Sequence, residues 1–177
     1  MRDSDVLEKN PYISRSALEA LHEEVFSWAL SRCDYDRTIA EDLVQQTYVE
    51  LLTGKARFQQ RSSLKTFVFS VVQNLSRSRY RRLASRLRLV NAMAVEVEPA
   101  TAAAVDIDAS RSLWTAVQNL PQRQRDIVEL VFCRDMTIEA AAAVMGVTKG
   151  TGRVHYDRAK KALRKTMDQS GDWLDEA

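Results

Sequence analysis

Glycine and proline are scarce, five and three in 177 residues. With so few chain breakers, and with apolar residues recurring at three- and four-residue steps, a turn-rich β architecture is excluded and a largely helical chain is predicted. Cysteine is scarcer still. Cys33 and Cys133 stand far apart with no CxxC spacing, which argues against a disulfide scaffold or a zinc site and leaves two free thiols. The two histidines, His22 and His155, sit in no acid–base constellation. There is no phosphate loop and no metal-ligand spacing, so neither a catalytic site nor a cofactor is expected. No apolar run approaches the roughly 18 residues of a membrane span. The opening MRDSDVLEKN has no apolar signal core. A cytoplasmic protein without membrane insertion is the expectation.

What is present is a soluble, globular balance of 45% hydrophobic and 28% charged residues, in a length that suits one ordinary domain or two small ones. The net charge is only +2, but its distribution is uneven. Six arginines and no acid lie between Arg77 and Arg88, whereas Leu89 to Ser110 holds four acids and no Lys or Arg. Local charge, not the total, sets the field that a phosphate backbone meets.

Residues 1–15 are polar, and Asn10-Pro11 reads as a turn. Ser14 or Ser16 caps a first helix whose apolar face is Leu18, Leu21, Val25, Trp28 and Ala29. A second helix is predicted from about Thr38 to Thr53, with Ala40, Leu43, Val44, Thr47, Leu51 and Leu52 toward its buried side and Gly54 just past its end. A polar, basic loop comes next over 54–63 and holds Phe58. Ser62 or Ser63 then caps a long helix that is apolar through Leu64, Phe67, Val68, Val71, Val72 and Leu75 and basic beyond. Composition shifts at 91–110, which is Ala-rich, acidic and weakly periodic. That segment reads as a linker, or else as partly helical because of its alanines. Helical pattern returns with Leu113, Trp114, Val117 and Leu120, and Ile127, Val128, Val131 and Phe132 make the next stripe. No repeat and no strand-like alternation stands out.

MTIEAAAAVMGVTKGTGRVHYDRAKKAL, residues 136–163, has the pattern of a helix-turn-helix. Thr137 caps a short helix, Gly146 breaks it at a position suited to positive φ, and Thr148 caps the last helix. Ala141 and Ala142 are small enough for a close crossing. The second helix of such a unit presents its N-terminal residues to the major groove, which puts Thr148, Lys149, Thr151, Arg153 and His155 near DNA, with Arg158 and further cations beyond. Gly150 and Gly152 are costly inside a helix, up to about 1 kcal/mol each against Ala. They either bring the backbone close to phosphates or loosen the first turn.

The first half carries two further surfaces. Glu41, Asp42, Gln45 and Gln46 form an acidic-polar face that, read alone, is ordinary solvent exposure. Phe58, Phe67, Phe69, Asn74, the arginine run and Tyr80 combine stacking surfaces for unpaired bases with cations for the backbone; Phe67 reads equally well as core.

In their order and spacing, three segments resemble the extracytoplasmic-function (ECF) sigma factors, group 4 of the sigma-70 family. They are AEDLVQQTYVELL at 40–52, FQQRSSLKTFVFSVVQNLSRSRYRR at 58–82 and NLPQRQRDIVELVFCRDMTIEAAAAVMGVTKGTGRVHYDRAKKAL at 119–163. The resemblance implies an all-α chain of two small helical domains. Residues 1–90 would form a sigma region 2-like bundle, 91–110 an acidic linker and 111–170 a region 4-like helix-turn-helix domain. It further implies that Glu41, Asp42, Gln45 and Gln46 meet the β′ clamp helices of core RNA polymerase, with the β flap as a second contact. Phe58, Asn74, Arg77, Ser78, Arg81 and Arg82 would hold the −10 element of promoter DNA. Thr148, Lys149, Thr151, Arg153, His155 and Arg158 would meet the −35 element. An anti-sigma factor or a regulatory kinase is implied as a regulator, the latter because Gln46 replaces a frequent acid and Thr47 and Thr53 lie close by. Phe67 stands where the family usually has Trp, Ser78 where Asp is common, and Gly152, His155 and Asp157 depart from the −35 helix pattern.

Two other function classes are weaker: a helix-turn-helix regulator that works without polymerase, and an enzyme. The linker supplies a test of the first reading. Promoter elements about 17 base pairs apart are separated by roughly 58 Å. Residues 90–110 reach roughly 70–75 Å when extended but average only about 25 Å as a relaxed coil. Removing about ten residues from this segment should abolish initiation in a run-off transcription assay with core polymerase.

Overall fold

In the computed structural model, which describes residues 6–91 and 109–170, helices carry nearly all the regular structure, as the all-α reading expects. The exception is a short antiparallel hairpin, β1 (Val6–Leu7) and β2 (Asn10–Ser14). Asn10-Pro11 is therefore not the turn. Leu7 pairs with Asn10, so the chain reverses at Glu8-Lys9, and Pro11 is tolerated because a two-stranded ribbon has an open edge. The chain divides into two compact units, Met1–Glu96 and Val97–Ala177. Most of the segment expected to be a linker lies outside the described residues.

The first unit packs α1 (Arg15–Ser31), α2 (Arg37–Leu52) and α3 (Leu64–Asn91). Each start is set by a side chain that accepts from an otherwise unpartnered backbone N–H. Ser14 Oγ accepts from Ala17 N at 3.1 Å, Asp36 Oδ1 from Ile39 N at 3.0 Å and Ser63 Oγ from Thr66 N at 3.1 Å. Asp36 starts α2 earlier than the sequence suggests, and its charge suits the positive end of the helix. Thr53 closes α2, and Gly54 comes next at φ +72°. At the centre of the core Trp28 lies parallel to Phe69, ring centroids 5.7 Å apart, and its indole N–H donates to the Phe69 carbonyl at 3.2 Å. Val25, Val68, Val72, Leu51 and Ile13 are buried alongside. Arg32 covers the outer side of the indole, its guanidinium 4.2 Å from the ring centroid. Leu52, expected toward the buried side, is exposed, because it lies about 100° round the helix from Leu51, which takes the buried position in that turn.

The second unit contains α4 (Ala109–Gln118), α5 (Gln122–Val128), a π-helical turn over Glu129–Cys133, α6 (Ile138–Met145) and α7 (Lys149–Ser170). Ile127, Val128, Leu130, Val144 and Met145 form its core. Arg125 Nη2 donates to the carbonyls of Gln118 and Leu120, satisfying the C-terminal end of α4. Glu129 and Arg134 make an ion pair at 3.1 Å that is nearly sealed from water. Phe132, read as part of the apolar stripe, is 59% exposed. Phe132 lies within the π turn, where the α-helical register on which the stripe was read is broken, and it stacks on Tyr156 at 5.9 Å. Leu113 and Trp114 also remain exposed, while Ala116, Val117 and Leu120 carry the buried face of α4.

Replacing Trp28 by Ala removes both the stack and the indole hydrogen bond. Chemical denaturation should show a loss of about 3–5 kcal/mol.

Candidate nucleic-acid interface

Glu41, Asp42, Gln45 and Gln46 all point to solvent from α2, opposite the buried line of Ala40, Leu43, Val44 and Thr47. Glu41 is bound to Arg37 at 2.9 Å across one helical turn. This pair is well exposed and is worth no more than about 1 kcal/mol, so a basic partner could replace Arg37 at little cost. Glu41 and Gln45 rim an open hollow between α1 and α2 that also contains His22 and Tyr48. His22 is on the helix surface, as the sequence suggests, with Nδ1 2.9 Å from the Tyr48 hydroxyl.

Phe58 and Phe67 come together from the loop and from α3, centroids 5.1 Å apart in a tilted contact. Both are half-buried, so Phe67 is neither plain core nor a free stacking surface; it supports Phe58. Beyond it, Asn74, Ser78 and Arg81 succeed one another at helical steps along one line of α3, with Arg77 and Arg82 flanking. Asn74, Arg81 and Arg82 are exposed; Arg77 and Ser78 are partly covered. From Asn74 to Arg82 the line runs roughly 12 Å. Phe69, by contrast, belongs wholly to the core. Tyr80 is held from the side: its hydroxyl donates to Asp34 Oδ2 at 3.1 Å. Partial burial, together with the Asp34 charge and this hydrogen bond, pushes the phenol up to about 12. Burial also pushes the Cys33 and Cys133 thiols up.

In the second unit α6 and α7 cross at Ala142 and Gly152. Gly152 is buried, and a Cβ placed on it would sit 2.7 Å from the Ala142 Cβ. This glycine therefore serves the crossing and not the approach of a phosphate; a Cβ on Gly150 would make only an ordinary contact, 4.0 Å from Thr148 Oγ1. Gly146 ends α6 at φ 66°. Thr148 Oγ1 accepts from Thr151 N at 3.2 Å and lies 2.9 Å from the Thr151 hydroxyl, so both threonines are engaged in the cap. Lys149 Nζ contacts Glu139 Oε2 at 2.7 Å, with both side chains about two-thirds exposed. Arg153 and Arg158 are exposed on the outer face of α7. His155 is half-buried, on the flank beside the Gly152–Ala159 line.

A protein-family model for sigma-70 region 2 matches residues 17–86, and one for sigma-70 region 4 matches residues 110–163. The ECF RNA polymerase sigma factor EcfG of Rhodopseudomonas palustris is 32% identical over 135 residues, covering 75% of this chain and 73% of that protein. This chain belongs to the ECF sigma factors. The sigma factor CarQ of Myxococcus xanthus is 27% identical over 157 residues, covering 86% of this chain and 88% of its own. Among solved structures, the fold resembles the sigma factor RpoE of Bartonella quintana, crystallised with the anti-sigma factor NepR (TM-score 0.67, 22% identity, 92% and 98% covered). It also resembles CnrH in complex with the cytosolic domain of CnrY (TM-score 0.57, 22% identity, 87% of each chain). The role of the family is non-enzymatic. No helix among the described residues is long and apolar enough to cross a membrane.

For this sigma factor the structure removes Thr47 as a phosphate acceptor. It is fully buried, and its hydroxyl donates to the Leu43 carbonyl at 2.8 Å. Thr53 is accessible, but at the C-terminal end of α2, where a phosphate meets the negative pole of the helix. Sequence reasoning missed Val154, 46% exposed on α7 next to Arg153. The signal the sequence offered was an apolar residue set between Arg153 and His155 in the N-terminal half of the last helix.

The two glycines of α7 should respond oppositely. Gly152→Ala should lower stability by about 1–3 kcal/mol through overpacking against Ala142. Gly150→Ala should leave it unchanged or raise it by up to about 1 kcal/mol. Thermal melts of the two variants would check this.

Proposed function

We propose that this sigma factor binds core RNA polymerase through the α2 face and reads a promoter with its two units in turn. In the first unit, Glu41, Asp42, Gln45 and Gln46 meet the basic β′ clamp helices. A −10 base turned out of the duplex lodges at the loop carrying Phe58, which Phe67 backs. Asn74 and Ser78 offer hydrogen bonds along the strand, and Arg77, Arg81 and Arg82 take its phosphates. Turning a base out costs a few kcal/mol, and stacking on an aromatic returns roughly 1–3 kcal/mol, so the loop and the arginines must act together. In the second unit, the N-terminal half of α7 enters the major groove at the −35 element. Arg153 and Lys149 are suited to guanine edges or phosphates and Val154 to a thymine methyl. Thr148, Thr151, His155 and Arg158 flank them, and the β flap of the polymerase is the partner of this unit.

The observation that carries this reading is the order on one chain of a region 2 match at 17–86 and a region 4 match at 110–163, each with an exposed polar or basic line where nucleic acid would lie. A polymerase-independent regulator would leave the first unit without a task, and no catalytic role is needed for either. An anti-sigma factor fits as the regulator, since the structurally similar RpoE was crystallised with one.

Run-off transcription with purified core polymerase tests the proposal. Specific RNA should form only when the protein is added, and equally tight binding of the protein alone to intact duplex would overturn it. Arg81→Ala and Arg82→Ala should each weaken promoter binding across sequences. Each should also lower the slope of log affinity against log salt by about 0.7–0.9, which a salt titration would show.

A further inference from the structure

The segment that carries Phe58 has no regular structure of its own, and its backbone groups must find partners elsewhere. Two of these partners come from one residue some forty-eight positions upstream of Phe58, Asn10. This residue is 1% exposed. Nδ2 donates to the Leu51 carbonyl at 2.5 Å and to the Ala56 carbonyl at 3.0 Å, and Oδ1 accepts from the Phe58 N–H at 2.8 Å. One amide thus ties the end of α2, the middle of the loop and the backbone of Phe58 into a single unit.

Asn10 is itself held. It opens β2 and pairs with Leu7 across the hairpin, and three residues on Ile13 is fully buried in the helical core. The neighbouring Lys9 lies against Gly54, where an added Cβ would come within 2.8 Å of the Lys9 Cβ. The hairpin therefore grips both ends of the 54–58 stretch. It also lies upstream of residues 17–86, the part of the chain that matches the region 2 model.

We infer that Asn10 is a positioning residue for −10 recognition, and that the N-terminal hairpin is a working part of the −10 site. This rests on the proposal that the Phe58 loop receives a −10 base. A pocket that discriminates between bases must be held within about 0.5 Å. Phe67 fixes the ring of Phe58, and Asn10 fixes its backbone. Without the amide, two carbonyls and one N–H turn to water, the loop widens, and wrong bases are accepted more nearly as well as the right one.

The test uses full-length protein with core polymerase and two promoter sets, one with each −10 base replaced in turn and one with each −35 base replaced. Run-off yields are compared for the wild type, Asn10→Ala and Lys9→Gly. The last alters an exposed turn residue and is compatible with folding even if Asn10→Ala is not. The ratio between the best and worst −10 base should fall about tenfold in Asn10→Ala, the scale of one lost base contact, and by less in Lys9→Gly. The −35 ratio and the affinity for core polymerase should not change. An unchanged −10 ratio in Lys9→Gly and in any folded Asn10 variant overturns the inference. So does a joint fall of the −10 and −35 ratios, which would mark a merely structural role. If the wild type itself fails to distinguish −10 bases, the reading of the Phe58 loop is what fails, and the inference goes with it.

Discussion

The contact between Trp28 and Phe69 holds α1 against α3, and what α3 presents to solvent depends on that attachment. The helix is 28 residues long, roughly 42 Å, and it carries two chemistries in succession. Val68, Phe69, Val71 and Val72 are buried in its first half, whereas Arg79, Arg81, Arg82 and Arg86 stand exposed in the second. Like charges crowded on one helical end repel, and an isolated helix of that composition would be marginal. Continuity with the packed half supplies the stability that the basic half lacks. The Asp34–Tyr80 hydrogen bond adds a second brace from the loop between α1 and α2. The same loop runs through positive φ at Asp34 and Tyr35, so an unfavourable local backbone is maintained where it meets the basic helix.

The second unit solves a different problem with small residues. The helix proposed to meet DNA, α7, is set against α6 by the Ala142–Gly152 approach, which leaves no room for a larger side chain. Gly152 carries a propensity cost of up to about 1 kcal/mol, and the close crossing of the helices is what that cost secures. Gly146 at φ 66° and the Thr148 cap fix the angle at which α7 departs. The side chains that would meet DNA are thus oriented largely by Ala142, Gly146 and Gly152, which hold α7 from its inner side.

Both surfaces also share an electrostatic arrangement. Glu41 is satisfied by Arg37, and Lys149 by Glu139, in pairs that are well exposed. Such pairs contribute little stability and break at little cost when a more strongly charged partner arrives. The buried Glu129–Arg134 pair is of the opposite kind, since losing one member would strand a charge in the core. Charges that would exchange partners lie at the surface, and charges that hold the fold lie inside.

Helix identity, the caps at Thr137 and Thr148, the break at Gly146 and the basic half of α3 were determined by the sequence itself, and the caps of α1 and α3 were narrowed to two serines each, of which the structure uses Ser14 and Ser63. Each is a local matter of periodicity, side-chain oxygen or charge within a few residues. Apart from Val154, the residues proposed for recognition were legible as exposed polar lines set by the apolar lines opposite them, and the resemblance to a known family supplied their roles. Tertiary structure alone decided the rest. Asn10 bonds to groups forty-one to forty-eight residues away, and Gly152 to Ala142 is a matter of two backbones meeting in space. Phe132, which the apolar stripe placed in the core, is turned out of it in a π turn. These depend on which surfaces come together, and hydrophobic spacing along one chain segment holds no record of that.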